Sequence, residues 1–192
     1  MYEIPTSVEV NGQSYAIRNQ GDYRMVLDCF VALNDKELSM QERVLSALII
    51  FYDGMNDIDD LEQFGDMDEA VKQMYKFFSC GEDYDTNEKH SPRVIDWEND
   101  SQLICSAINK VAGMEIRSLD YLHWWTFMGY YLAIGNSPLA NIVNIRYKIA
   151  RHEKLEKYER KFQSENPQYF KNIGNEADTE YEEFLRNVWN RE

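Results

Sequence analysis

Residues 121–132 read Tyr-Leu-His-Trp-Trp-Thr-Phe-Met-Gly-Tyr-Tyr-Leu. On a helix turning 100° per residue, Tyr121, Trp125, Met128 and Leu132 fall on one narrow stripe. Trp124, Phe127, Tyr131 and Ile134 widen that stripe on one side and Leu122 on the other. Only His123, Thr126, Tyr130 and Ala133 are left for a more polar arc. A helix apolar over most of its circumference is buried on several sides. The reading is therefore a helix from about Ser118 to Ile134 at the centre of a helical fold. Tyr121, Trp124, Trp125 and Phe127 form its aromatic core.

Downstream, Ser137-Pro138 supplies a cap and a proline at the first helical position. A long helix is expected from there, with Leu139, Ile142, Val143, Ile149 and Ala150 on its core face. Arg146 falls in the middle of that face, and a buried guanidinium needs a carboxylate partner because an unpaired buried charge is costly. Asp96, Asp100 and Asp120 are the candidates for a structural ion pair. Beyond Ala150 the text changes to Arg-His-Glu-Lys-Leu-Glu-Lys-Tyr-Glu-Arg-Lys-Phe. There Glu153–Lys157 and Glu156–Arg160 have the favourable i,i+4 order. Leu155, Tyr158 and Phe162 keep a thin apolar stripe, a candidate partner-binding arm of the helix-in-groove kind. Asn166-Pro167 breaks the helix, and residues 164–192 form a tail whose segment Thr179–Trp189 is either a short helix or loose.

Upstream, Asp96-Trp97-Glu98-Asn99-Asp100-Ser101 leads into a helix carrying Leu103, Ile104, Ala107, Ile108 and Val111, with Gly113 as its terminator. Residues 82–92 are polar and without periodicity, the expected mobile loop of a section running to residue 95. Before it come three helical patterns, with a short acidic helix or turn over Asp57–Phe64 between the second and the third. The first runs from Asp22 to Asn34. The second opens at Ser39, which with Glu42 forms a capping box. The third opens at Asp66 with Glu69 and is stopped by Gly81. The N-terminus holds the one clear β signal: Val8, Val10, Tyr15 and Ile17 flank Asn11-Gly12, the dipeptide of a tight hairpin turn. A lone hairpin is marginal in water, so this one is expected to pack on helices. The fold class is mainly α, a hairpin (1–20) on a multi-helix bundle (21–81 and 96–163) with a long C-terminal helix bearing a charged arm. Residues 1–192 are read as a single domain.

The chain has 192 residues and 44% hydrophobic side chains, and 20 Lys+Arg against 34 Asp+Glu give a net charge of −14. That composition builds a core, and the acidic sum repels phosphate backbones and argues against nucleic-acid binding. No basic-then-apolar leader opens the sequence, and no apolar run reaches the ~20 residues of a membrane helix. Three cysteines without a paired spacing read as reduced thiols of an intracellular protein. The charge is uneven: residues 146–161 hold 7 basic and 3 acidic groups, whereas residues 1–145 hold 10 and 24. The glutamates among those lysines, and the missing aromatic stacking platform, favour contact with an acidic protein surface or a sister subunit over nucleic acid.

Catalytic chemistry finds little support. The eight carboxylates of residues 53–69 do not follow calcium-loop spacing, because Met55 and Leu61 occupy ligand positions. They read as a solvated, helix-capping face. His90, His123 and His152 are scattered. His123 follows Asp120 at i, i+3, which could orient an imidazole base, but a structural hydrogen bond is the preferred reading. There is no nucleophile pattern, phosphate loop or dinucleotide fingerprint. No catalytic, cofactor-binding or metal-binding residue is named, and an enzyme is not expected.

The Asp96-Trp97-Glu98-Asn99-Asp100 run, Ile104, Ala107-Ile108-Asn109, the Tyr121–Phe127 run, Ile142 and Ile145-Arg146 together resemble the bacteriophage gene-product-fifteen family. The resemblance covers roughly residues 96–150, and the hairpin and early helices are similar to the start of that family more loosely. It implies a protein of the tail-morphogenesis modules of long-tailed phages and prophages of Gram-positive hosts. Genes of the family typically lie between tail-tube and tape-measure genes, the slot of tail assembly chaperones. The resemblance thus implies a helical chaperone in the bacterial host cytoplasm, contacting tape-measure and tail-tube proteins or itself. A structural tail component retained in the virion is the alternative, and a small enzyme a distant third. No catalytic residues come with it.

Overall fold

The structure is a computed structural model that describes residues 3–83, 94–171 and 179–190. Two strands, β1 (Ser7–Val10) and β2 (Gln13–Ala16), precede α1 (Tyr23–Asn34), α2 (Met40–Phe51) and α3 (Met67–Phe78). Then follow α4 (Ser101–Ala112), α5 (Trp124–Leu132), α6 (Pro138–Ala150), α7 (Lys157–Glu165) and α8 (Thr179–Asn190). The fold is mainly helical with one small antiparallel sheet, as the patterning predicts. His90 and most of the expected mobile loop lie outside the described residues.

The chain forms two compact units. One comprises Met1–Asn87, Leu119–Gly129 and Glu180–Glu192, the other Glu88–Ser118 and Tyr130–Thr179. The division falls within α5, between Gly129 and Tyr130.

In the first unit β1 and β2 pair with Val8 opposite Tyr15 and Val10 opposite Gln13, around a turn in which Asn11 and Gly12 both take positive φ. Positive φ at both central residues twists the turn with the strands. The hairpin packs on α3 through β1, and Val10 and Ile17 are buried. Asp22 caps α1 by accepting from the Arg24 amide. Ser39 and Glu42 complete the capping box of α2, and Asp66 accepts from the Asp68 and Glu69 amides to open α3. Each start therefore follows from a short oxygen-bearing side chain satisfying amides that no helical carbonyl can reach. The core is aromatic: Tyr23 stacks on Phe127 at 4.7 Å, Phe127 on Trp124 at 5.4 Å, and Phe51 meets Phe77 edge-on at 5.4 Å. Leu185 and Val188 of α8 are buried, and Trp189 meets Tyr75 at 6.0 Å. The last segment is thus a docked helix.

In the second unit Ile104, Ala107 and Ile108 of α4 and Leu139, Ile142 and Ile145 of α6 form the core with Ile116. The single long C-terminal helix is replaced by two. α6 ends at Ala150, where His152 takes φ +57°. The His152 amide donates to the Ile149 carbonyl at 3.0 Å, and the Glu153 amide reaches back to Lys148 at 2.8 Å. This paired closure with a left-handed residue is a Schellman stop, and its usual glycine is absent here. α7 then restarts with a capping box between Glu156 and Glu159. The expected i,i+4 pairs across residues 153–160 do not arise, since Glu153 precedes α7 and pairs with Arg151 at 3.6 Å instead.

The central helix is also shorter than its periodicity suggests. It starts at Trp124, not near Ser118. The preceding residues are extended: His123 bridges Asp22 antiparallel, and the Tyr23 amide donates to the Leu122 carbonyl at 2.9 Å. The buried face consequently runs through Leu122, Trp124 and Phe127. Tyr121 and Leu132, two residues of the expected stripe, are 46% and 75% exposed.

Candidate functional site

Three polar centres and one groove are where chemistry or recognition could reside. The first centre lies at the start of α5. His123 is its cap: Nδ1 accepts from the Trp125 amide at 3.0 Å, while Nε2 lies 3.0 Å from the Pro5 carbonyl. An imidazole that accepts through Nδ1 and donates through Nε2 is neutral, and burial pushes its pKa below the ordinary value. Asp120 is exposed, and the acid beside His123 is Asp22, whose carboxylate is engaged by the Leu122 amide and by Arg24. His123 is therefore an anchor between the segment before β1 and the start of α5.

Trp124 and Trp125 follow the same logic. Their indole N–H groups donate to the Phe78 and Phe77 carbonyls, each at 2.9 Å. Those are the last carbonyls of α3, the end of a helix that lacks a full set of helical donors, and the Phe77 carbonyl accepts from the Cys80 amide as well, at 3.1 Å. Of the expected aromatic cluster, Trp124 and Phe127 are buried and Trp125 half-buried. Tyr121 stands outside it and donates to the Gln20 carbonyl at 2.9 Å. That carbonyl belongs to a turn in which Asn19, Gln20 and Gly21 are all left-handed, with φ of +50°, +54° and +79°. A Cβ on Gly21 would lie 2.7 Å from Phe77 Cζ and 2.9 Å from His123 Nε2. Glycine is required there twice over, by backbone and by space.

The second centre is ionic. Arg146 and Asp100 are both buried and form a two-pronged pair, Nη2 to Oδ1 at 2.9 Å and Nη1 to Oδ2. The same guanidinium donates to the Val94 carbonyl at 3.0 Å and the Tyr169 carbonyl at 2.8 Å. Asp96 lies on the same turn: its amide donates to Asp100 Oδ2 and its carboxylate accepts from the Glu98 and Asn99 amides. A neighbouring centre, which the sequence reading missed, is built on Glu159. It is fully buried and accepts from Lys148 Nζ at 2.6 Å, with the Glu156 amide at 2.8 Å. The Lys148 hydrogen bond, then the Glu156 amide, hold its carboxyl below the ordinary range.

One family model matches this chain, that of the bacteriophage Gp15 protein, over residues 1–171. The chain belongs to that family. No curated protein and no solved structure matches it. The family match ends before α8. The residues that carry the family resemblance are architectural in the structure. Trp97 packs on Tyr131 at 5.4 Å, Asp100 grips Arg146, and His123, Trp124 and Trp125 close helix ends.

The groove lies in the second unit, about 430 Å³ between the end of α5 and α6, with Leu132, Ile134, Leu139, Val143 and Tyr147 among its walls. The expected partner-binding arm does not form one stripe. Leu155 lies between α6 and α7, Tyr158 is 61% exposed on α7, and Phe162 packs on Phe170 at 6.2 Å. Among the described residues, no group of three or more His, Cys, Asp or Glu side chains is placed to hold a metal ion. The three cysteines are free thiols, and burial pushes each one's pKa up. Among the described residues, no helix is long and apolar enough to cross a membrane.

Proposed function

We propose that this bacteriophage-family protein is a tail assembly chaperone, acting in the host cytoplasm by contact with tape-measure and tail-tube proteins and catalysing no reaction. One observation carries the reading. Among the described residues, the buried polar side chains Asp22, Arg43, Asp100, His123, Arg146 and Glu159 are each spent on fastening helix ends and turns. The surface nevertheless keeps an apolar groove. A chain with a net charge of −14 stays soluble while presenting such a groove. Family membership supports the phage setting.

The test is co-expression with the tape-measure protein of the phage or prophage that encodes this chain. Co-purification at a fixed ratio is expected. Separation of the two proteins at high expression of both contradicts the reading.

A further inference from the structure

The groove is mainly apolar, with Asn144 as the polar residue of its walls, and a cation lies just beyond one end. Leu139, Val143 and Tyr147 follow one another at four-residue intervals on α6, the spacing of a helix face. Leu132 stands across from them, three-quarters exposed. Beyond Tyr147 the rim is Arg151, whose guanidinium sits 5.2 Å above the Tyr147 ring and whose Nη1 donates to the Tyr147 hydroxyl. Arg151, which shares an exposed ion pair with Glu153 at 3.6 Å, opens the exposed run that continues through Lys154, Lys157 and Arg160, and these last three make no ion pair among the described residues. Arg146 and Lys148, by contrast, are neutralised internally by Asp100 and Glu159. The groove thus ends against the one basic stretch of a chain that is acidic elsewhere.

We infer that the groove between α5 and α6 receives an amphipathic helix whose apolar stripe lies on Leu132, Val143 and Tyr147 and whose acidic end meets Arg151 and the lysines after it. The apolar contact supplies affinity. The charge supplies direction, because an acidic helix end is repelled by most of this protein and drawn to the Arg151 end. The inference rests on reading the chain as a contact protein and names the surface.

The test uses the full chain and two synthetic 20-residue helical peptides with leucines at i, i+3, i+4 and i+7. One ends in four glutamates and the other in four lysines, and binding is read by fluorescence anisotropy. The glutamate peptide binds, and more tightly than the lysine peptide. Leu132→Asp and Arg151→Glu each weaken it at least tenfold, while Ile58→Asp, at an exposed apolar site of the other unit, leaves it unchanged. Equal binding of both peptides, or indifference to Leu132→Asp with the circular dichroism spectrum intact, overturns the inference. So does a dimer of the free chain that Leu132→Asp dissociates, since a second copy would then own the groove. If the glutamate peptide binds and the tape-measure protein does not, the surface stands and the chaperone reading fails.

Discussion

In the unit built from the hairpin and α1–α3, long-range polar side chains end on main-chain groups: His123 on Pro5, Trp124 and Trp125 on the last carbonyls of α3, Tyr121 on Gln20. Arg18 closes α2 likewise, donating to the Ile49, Tyr52 and Met55 carbonyls. In the unit built on α4, α6 and α7 the buried polar side chains meet as ion pairs, Arg146 with Asp100 and Lys148 with Glu159, in addition to their main-chain bonds. The difference sets what each unit is sensitive to. Bonds to carbonyls depend on backbone shape, whereas buried ion pairs depend on both partners keeping their charge.

The largest expected effect follows from the ion pair. Arg146→Ala leaves Asp100 buried and unpaired, and should cost about 3–5 kcal/mol in urea unfolding. A loss below about 1 kcal/mol would put this pair on the footing of an ordinary neutral hydrogen bond and remove the contrast. Next comes shape. Gly21→Ala forces a left-handed alanine against Phe77 and His123, and about 1–3 kcal/mol should be lost. A neutral result would mean that the strained turn relaxes freely.

The smallest effect is a slope with pH. The folded pKa of His123 lies below the ordinary 6.5, chiefly through burial. Its contribution to stability is therefore complete above pH 6.5 and declines as the pH falls from there toward the folded value. His123→Asn, which can still cap α5, should flatten that decline. Glu159 has a lowered pKa, so its contribution persists until the pH drops below the ordinary 4.5. A His123→Asn variant with an unaltered slope between pH 5 and 7 would assign the acid response elsewhere.

Much of this was legible beforehand, for reasons that are local. Ser39, Asp66 and Ser137 cap helices because a short side chain next to an apolar period has few other uses, and Asn11-Gly12 has one good turn. Arg146 announced a carboxylate partner because it broke an apolar face. What escaped depends on distant chain. The helical period of residues 121–132 runs upstream into a segment that Asp22 holds extended, and histidine is a weak cap signal. The stop at His152 carries neither glycine nor proline, although histidine is among the residues that tolerate positive φ. Glu159 looked like one more charge in a solvated run. Only the fold of α7 against Lys148 buries it.

The chaperone role proposed for this chain is work done by contact and then release. Mass spectrometry of purified virions tests that claim most directly. This chain is expected to be absent from tails while abundant in the infected-cell lysate. Its recovery in virions at a fixed number of copies per tail would contradict the chaperone role and make it a structural component.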